Sequence, residues 1–205
     1  MAGTSQALKR GFDILVAGLL LVILAIPLVL IALATRLLLG SPILYRSLRP
    51  GLGGNLFTIY KFRTMTQDVD ENGELRPDAE RLTRFGRLLR SWSLDELPEL
   101  INVLRGDMSL VGPRPLLPAY LDRYDDQQRR RHEVRPGLTG LAQVRGRNSL
   151  SWDERLALDV WYVDHRSFAL DLRILAATIA LVVNREGINA PDHATMPEFR
   201  GQEET

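Results

Sequence analysis

Residues 91–100 read Ser91-Trp92-Ser93-Leu94-Asp95-Glu96-Leu97-Pro98-Glu99-Leu100. Ser93, followed three residues later by Glu96, predicts a capping box in which the hydroxyl and the carboxylate satisfy free amides at a helix start. Pro98 is tolerated only near such a start, so the helix must begin close by. Asp95 then lies where free amides and the helix dipole favour negative charge, and we expect it to be ionised.

The acidic pair Asp95 and Glu96 allows two interpretations. Both acids are typical of a helix start, and a purely structural role accounts for them. An ionised aspartate close to Arg90 and to a metal ion is also a nucleophile toward phosphorus. This stretch alone leaves both interpretations open, so the rest of the chain has to decide.

Composition limits the class of protein. The 205 residues suffice for one domain with a hydrophobic core. The formal net charge of +1 gives no information about the kind of partner that the protein binds. The first third has one acid, Asp13, against seven cations: Lys9, Arg10, Arg36, Arg46, Arg49, Lys61 and Arg63. A basic front end beside an apolar segment favours an anionic membrane surface over nucleic acid. There is no cysteine and no histidine pair at metal-ligand spacing, which excludes thiolate and HExxH-type metal sites.

A long apolar segment, Ile14 to Ala34, carries no charge over about 21 residues, enough to span a bilayer core. Pro27 lies near its centre and predicts a break in the helix. Two topologies remain open, a spanning helix and a re-entrant hairpin that returns both ends to the cytoplasmic face. Positive residues on both flanks and arms too short to cross favour the hairpin.

The remaining sequence predicts a mainly α fold with a small β-hairpin, in which the membrane hairpin is joined to a compact cytosolic helical domain. Expected strands are residues 43–45 and 56–62, joined by a Gly-rich turn at 49–55 and followed by an acidic loop at 68–77. Expected helices are 78–89, 97–105, 116–131, 151–162 (opened by a Ser151–Glu154 capping box) and 171–183. We divide the chain into an anchor (1–40), a catalytic domain (41–187) and a loosely structured tail (188–205).

Two further segments suit phosphate binding. Val111-Gly112-Pro113-Arg114-Pro115 places an arginine between two prolines, which fix the backbone and hence the guanidinium. Residues 135–140 and 145–148 form a Gly-rich, basic, loop-like region with free amides suited to a nucleotide or diphosphate. This Gly-rich region lacks the spacing of a Walker loop or a dinucleotide fingerprint.

An ordered set of motifs resembles one family over nearly the whole chain, to about Val183. The motifs are Lys9-Arg10-x-x-Asp13, Tyr60-Lys61-Phe62-Arg63-Thr64-Met65, Ser93-Leu94-Asp95-Glu96-Leu97-Pro98, Gly106-Asp107-Met108-Ser109-Leu110-Val111-Gly112-Pro113-Arg114-Pro115 and Arg135-Pro136-Gly137-Leu138-Thr139-Gly140. The chain thus resembles the small monotopic phosphoglycosyl transferases of the bacterial sugar transferase family. Within that family, the resemblance is closest to enzymes that begin bacterial N-linked glycan assembly on undecaprenyl phosphate.

The resemblance implies a reaction in which a UDP-sugar and polyprenyl phosphate give polyprenyl-diphosphate-sugar and UMP. It assigns the nucleophile to Asp95, which would form a covalent phosphosugar intermediate, and a base or metal-binding role to Glu96. It implies Mg²⁺ near both acids, and phosphate- or nucleotide-facing roles for Lys61, Arg90, Arg114 and Arg147. It also implies the bacterial inner membrane, with the catalytic domain on the cytosolic face.

One departure from the family concerns the membrane break, where a Ser-Pro pair is common and Ile26-Pro27 stands here. Without the hydroxyl, a freed carbonyl at the kink loses a partner.

Two other classes of function compete with the transferase. A membrane scaffold would explain the arginines but not the acidic pair beside a Pro-Arg-Pro loop, and a metal-dependent hydrolase would use the same acids with water as acceptor. The basic residues lack interleaved aromatics, which weighs against nucleic acid.

Overall fold

The computed structural model describes residues 3–146, 149–184, 199 and 201. The α-helices are α1 (Gly3–Ile23), α2 (Ala25–Leu39), α3 (Asp78–Arg81), α4 (Arg84–Ser91), α5 (Glu99–Arg105), α6 (Asp126–Arg129), α7 (Leu141–Arg145), α8 (Trp152–His165) and α9 (Phe168–Asn184). The strands are β1 (Leu44–Pro50), β2 (Leu56–Phe62), β3 (Ser109–Val111) and β4 (Gly137–Thr139). Short 3-10 helices occupy Leu52–Gly54, Leu94–Glu96, Pro118–Arg123 and Arg130–Glu133. The mainly helical class is confirmed.

The N-terminal helices α1 and α2 form a bent pair. No single helix in the described ranges is long and apolar enough to cross a membrane, whereas Gln6–Ile23 and Ala25–Leu39 together meet the length and composition, with a bend of 64° between them. The break lies at Leu24, not at Pro27 as predicted. Proline has no N–H for the carbonyl four residues earlier, that of Ile23, and its ring crowds that carbonyl. The bend therefore falls one turn before the proline.

Helix α1 is fixed to the rest of the chain through buried polar groups, which we call the junction network: Lys9, Asp13, Ser109, Tyr162 and Asp171. Lys9 Nζ lies 2.6 Å from Asp171 Oδ2 and 3.9 Å from Asp13 Oδ1. Asp13 accepts a hydrogen bond from Ser109 Oγ at 2.8 Å, and Tyr162 donates to Asp171 at 2.7 Å. The network ties the first helix to β3, α8 and α9.

The predicted β-hairpin is present. Strands β1 and β2 pair antiparallel, with Leu44 opposite Phe62 and Pro50 opposite Leu56. β1 extends five residues beyond the predicted end at Tyr45, so the turn is limited to residues 51–55. The hairpin carries Lys61 near the end of β2, and this places it beside the acidic stretch.

A second sheet was not predicted. Strands β3 and β4 pair parallel, with Ser109 opposite Gly137 and Val111 opposite Thr139, so part of the segment expected to be a Gly-rich loop is a strand. The two backbones approach closely at Gly112, where a Cβ would lie 2.4 Å from the Arg135 carbonyl oxygen. Only glycine fits there. Three-residue strands rich in glycine carry too little alternation to be found from the sequence.

Two predicted helices are divided. Residues 78–89 form α3 and α4, because Thr83 is extended and caps α4 by accepting a hydrogen bond from the Gly86 amide. Residues 116–131 form two 3-10 segments around the short helix α6, since Asp125 starts a new capping box. The capping box of Ser151 and Glu154 at α8 is confirmed. Helix α9 is confirmed and is longer than predicted.

The predicted loose tail lies outside the described residues except at two positions. One of them, Phe199, is buried and packs on Tyr120, Tyr124 and Trp152, with ring centroids 5.4 to 5.6 Å apart. Its amide donates to the Tyr120 hydroxyl at 3.2 Å. At this position the expectation of a loose tail is wrong.

Candidate active site

The acidic pair lies in a 3-10 turn before helix α5. Ser93 has a left-handed backbone (φ 54°) and its hydroxyl caps nothing, so the predicted capping box is wrong. The reason is that the Glu96 carboxylate binds two cations from other segments. Helix α5 starts after Pro98, close to the predicted place.

Glu96 is bound from both sides. Lys61 Nζ on β2 donates to Glu96 Oε1 at 2.7 Å. The Arg114 guanidinium contacts both carboxylate oxygens, with Nη1 3.3 Å from Oε2 and Nη2 donating to Oε1. Burial opposes ionisation of Glu96, but Arg114 and Lys61 outweigh it and lower its pKa well below the usual range. Glu96 is therefore ionised and holds the two cations in place.

Asp95 has the opposite environment. It is 9% exposed, and no donor among the described residues hydrogen-bonds its carboxylate. Burial, followed by the charge of Glu96, raises the pKa of Asp95, and the charges of Lys61, Arg90 and Arg114 only partly compensate. The sequence predicted that helix amides would keep Asp95 ionised. No such amide hydrogen-bonds the Asp95 carboxylate in the described part of the chain, and burial and the charge of Glu96 act on its pKa in the opposite direction.

A third acid, Glu99, completes the cluster. It is 2% exposed and lies one turn after Glu96, with Oε1 3.0 Å from Lys61 Nζ. Burial and the charge of Glu96 raise the pKa of Glu99 to about 7, against the opposing charge of Lys61. Lys61 is thus shared between two carboxylates.

Arg114 is held by more than its flanking prolines. Arg131 Nη2 donates to the Arg114 carbonyl at 2.7 Å, and the same guanidinium forms a buried ion pair with Asp159 at 2.7 Å. The Gly137 amide donates to the Pro113 carbonyl at 3.0 Å, which joins the loop to β4. The charge of Glu96, against the effect of burial, raises the pKa of Arg114, so the guanidinium stays charged.

The other predicted site residues fall in three places. Arg90, at the end of α4, donates through Nε to the Thr64 hydroxyl at 3.1 Å and is close enough for its charge to act on Asp95. Arg147 lies outside the described residues. Pro27 belongs to the bent helix pair and not to this cluster. The structure therefore brings together Lys61, Arg90, Asp95, Glu96 and Arg114.

Sequence reasoning missed Glu99 and Arg131. Glu99 had a signal, because an acid three residues after Glu96 shares its side of a helical turn. Arg131 lies in a basic run, Arg129-Arg130-Arg131-His132, but its role depends on Asp159, which is 28 residues away in the sequence. Spacing on one segment cannot reveal such a pairing.

The donor set allows a limited test of the implied Mg²⁺. The described residues include no group of three or more His, Asp or Glu side chains arranged to hold a metal ion. Mg²⁺ typically uses one or two carboxylates and completes its shell with water and substrate phosphates. Asp95, whose oxygens accept no hydrogen bond from the described residues, fits such a site. Both Glu96 oxygens are already engaged by cations.

Comparison with known proteins identifies the family. The family described as "Bacterial sugar transferase" matches residues 4–185. The "Uncharacterized sugar transferase EpsL" of Bacillus subtilis is 53% identical over 194 residues, which cover 95% of this chain and 96% of that protein.

Two further relatives carry names that specify a substrate. The "UDP-glucose:undecaprenyl-phosphate glucose-1-phosphate transferase" of Caulobacter vibrioides is 44% identical, over 83% of this chain and 68% of that protein. The "Undecaprenyl-phosphate galactose phosphotransferase" of Salmonella typhimurium is 40% identical, over 90% of this chain and 42% of that longer protein. None of these three names concerns N-linked glycans, so that assignment stays a prediction. By the match over most of its length and by these identities, the chain belongs to the bacterial sugar transferase family.

Proposed function

We propose that the protein transfers a phospho-sugar from a UDP-sugar to undecaprenyl or a similar polyprenyl phosphate. The products are polyprenyl-diphosphate-sugar and UMP, and the reaction is the first membrane step of glycoconjugate assembly. One observation carries the proposal. The buried Asp95 carboxylate accepts no hydrogen bond from the described residues, and it lies close enough to Lys61 and Arg114, two cations held by Glu96, for their charges to act on it. The names of the relatives, which specify undecaprenyl phosphate and a phosphosugar, support the same reaction.

The chemistry has two displacements at one phosphorus. An Asp95 oxygen attacks the sugar-bearing phosphorus, the bond to the bridging oxygen breaks, and UMP leaves with that oxygen. A phosphate oxygen of the acceptor then attacks the same phosphorus and releases Asp95. The raised pKa of Asp95 suits this role, because a more basic carboxylate is the stronger nucleophile once ionised.

The cations contribute charge stabilisation. Glu96 holds Lys61 and Arg114 at the site before substrate arrives, so both charges are available to the donor diphosphate. They stabilise the negative charge that develops on the phosphoryl oxygens. The lowered pKa of Glu96 makes it a poor base. We therefore assign Glu96 mainly to orienting the cations and keep its predicted role as base or metal ligand as the less favoured alternative.

Mg²⁺ is part of the proposal. Asp95 would supply a protein ligand and the donor diphosphate the others, and the ion would neutralise charge on the transferring phosphoryl group. Removal of Mg²⁺ with a chelator should stop UMP release, and its return should restore it. Release that persists in the chelator would mean that the fixed arginines and Lys61 suffice.

We also propose a membrane arrangement, in which the bent pair α1–α2 enters and leaves the cytosolic face of the bacterial inner membrane. The 64° bend and the apolar composition support it. Because the chain has no cysteine, single cysteines placed before Lys9 and after Arg49 can be labelled without background. Labelling of both from the cytosolic side is expected. Labelling from opposite sides would mean a spanning segment.

The test of the function is UMP release by the detergent-purified protein with Mg²⁺ and a panel of UDP-sugars, with and without undecaprenyl phosphate. We expect release to depend on the sugar and to need the lipid for sustained turnover. Equal sustained release without lipid would indicate a hydrolase. No release from any donor would favour the scaffold and would remove the proposal for the sugars in the panel.

A further inference from the structure

Four side chains at the site form a row of alternating charge: Glu99, Lys61, Glu96 and Arg114. The successive contacts are 3.0 Å from Glu99 Oε1 to Lys61 Nζ, 2.7 Å from Lys61 Nζ to Glu96 Oε1, and the bidentate contact of Glu96 with Arg114. Glu96 has a cation on each side. Glu99, at the end of the row, has one ion-pair partner within the described ranges, Lys61.

Glu99 is also the least satisfied member of the row. It is 2% exposed, and its Oε1 has a single polar partner in the described part of the chain, the Lys61 ammonium at 3.0 Å, which is poorly aligned for a hydrogen bond. A buried carboxylate with one imperfect partner is costly to keep ionised. The charged groups that face Glu99 are Lys61 on β2, Glu96 in the 3-10 turn, Arg114 after β3 and Arg49 on β1.

Loss of Lys61 to another anion would leave Glu99 without its nearest cation. Of the two carboxylates on Lys61, Glu96 would keep Arg114, so its ionised form remains neutralised. Glu99 would keep no ion-pair partner among the described residues, only the more distant charges of Arg114 and Arg49, and its neutral form would be favoured. When another anion binds Lys61, Glu99 is therefore the carboxylate whose protonation state changes.

We propose that Glu99 is a positioning residue that holds the Lys61 ammonium beside Glu96 and takes up a proton when the donor diphosphate draws that ammonium away. The inference rests on the proposed function for the identity of the anion. The proton comes from solvent and adds to a Glu99 carboxylate oxygen; no bond of the donor is broken in this step. Donor binding is then coupled to proton uptake and weakens as pH rises above neutrality.

The hold on Lys61 is tested without any donor. Infrared spectra of the purified protein recorded over pH 5 to 9 should contain a protonated-carboxyl band that titrates near neutral pH and is missing in Glu99→Gln. Lys61→Met should move its titration to higher pH, because the ammonium favours the ionised form. The exposed Glu71→Gln is the control and should leave the band unchanged. Retention of the band in Glu99→Gln, or no effect of Lys61→Met, would overturn the proposal.

Proton uptake is tested by calorimetry with UDP-glucose, and with other UDP-sugars where it does not bind. The protein carries Asp95→Asn to prevent chemistry, and the titration is repeated in buffers of different ionisation enthalpy. We expect uptake of roughly half a proton at pH 7 and about one at pH 8, with none when Glu99→Gln is added. Equal uptake with and without Glu99 would overturn the coupling.

The two measurements separate this inference from the function on which it rests. If no UDP-sugar binds, the donor half of the inference fails together with the proposed function, while the infrared result still decides whether Glu99 holds Lys61. If UDP-sugars bind and turn over but no proton is taken up, the function stands and the coupling fails. The affinity of the wild-type protein for the donor should fall on the order of tenfold from pH 6 to pH 8 if both hold.

Discussion

Two parts of the molecule use the same device, a lysine shared between two acids. In the junction network Lys9 contacts Asp13 and Asp171, and at the site Lys61 contacts Glu96 and Glu99. The two lysine side chains are almost equally exposed, at 18% and 19%. The exposure of the lysine therefore does not explain why one group of residues is structural and the other forms the candidate active site.

The difference lies in the acids. Asp13 accepts from the Ser109 hydroxyl and from the Leu110 amide, and Asp171 accepts from Tyr162. At the site, Glu99 Oε1 has no hydrogen bond and the neighbouring Asp95 has no donor among the described residues. A satisfied network stabilises one arrangement, whereas unsatisfied buried acids leave oxygens available to a substrate.

Asp95→Asn should produce the largest effect at the site. The amide is close in size but is a poor nucleophile, so turnover should fall by about three orders of magnitude or more while the fold is kept. The measurement is UMP release, with circular dichroism and thermal unfolding as the check on folding. Substantial residual turnover would remove Asp95 as the nucleophile.

Asp13→Ala should produce the largest effect in the junction network, on stability. The Ser109 hydroxyl and the Leu110 amide are buried and would lose their acceptor, which typically costs about 1–3 kcal/mol for each group. Lys9 keeps its 2.6 Å contact with Asp171 and loses only a second anion at 3.9 Å. Unfolding in detergent measures the loss of stability. Asp78→Ala, which breaks the exposed pair with Arg81, is the control and should cost less than about 1 kcal/mol. Similar losses in both variants would contradict a structural role for the network.

The parts of the fold that could be predicted are those with local signals. The hairpin β1–β2 follows from alternating apolar residues around a Gly-rich turn, and α8 follows from its capping box. The parallel pair β3–β4 could not be found, because it joins two three-residue strands that are 28 positions apart in register. The break at Leu24 was displaced from the prediction by one turn, since proline disturbs the carbonyl that precedes it.

At the site, residue types were predictable and their states were not. The sequence alone identified four of the site residues: Asp95, Glu96, Lys61 and Arg114. The helix amides expected to favour ionised Asp95 do not reach it in the described part of the chain, and its pKa is raised by burial and by the charge of Glu96, which depend on tertiary packing. Glu99 was missed as a member of the cluster, although its position three residues after Glu96 places both acids on one side of a helical turn. Its burial against Lys61 is a tertiary contact that the sequence pattern does not show.

Arg114→Ala should reduce kcat/KM for the UDP-sugar by about ten- to a hundredfold, because the donor loses a fixed bidentate cation. Arg114→Lys should recover only part of this loss, since an ammonium keeps the positive charge but not the planar pair of N–H donors of a guanidinium. The exposed Arg84→Ala on α4 is the control and should leave the kinetics unchanged. Unchanged kinetics in Arg114→Ala would mean that Arg114 is only structural.

Glu99 should give the smallest effect, a pH dependence of stability. Its pKa in the folded protein is about 7, above the usual 4.5, so the folded state binds the proton more tightly than the unfolded chain. The resulting stabilisation is complete below the unfolded pKa and is lost as pH rises toward 7. The free energy of unfolding should therefore fall by about 1–3 kcal/mol between pH 4.5 and pH 7 and change little above that.

Glu99→Gln isolates this contribution, because the amide has almost the same shape and does not titrate. The difference in unfolding free energy between wild type and Glu99→Gln should shift in favour of the variant as pH rises through that interval. Glu71→Gln, at an exposed position, should show no such shift. A difference that stays constant with pH would mean that Glu99 is ionised throughout, as a fully satisfied acid would be, and the contrast with the junction network would then rest on Asp95 alone.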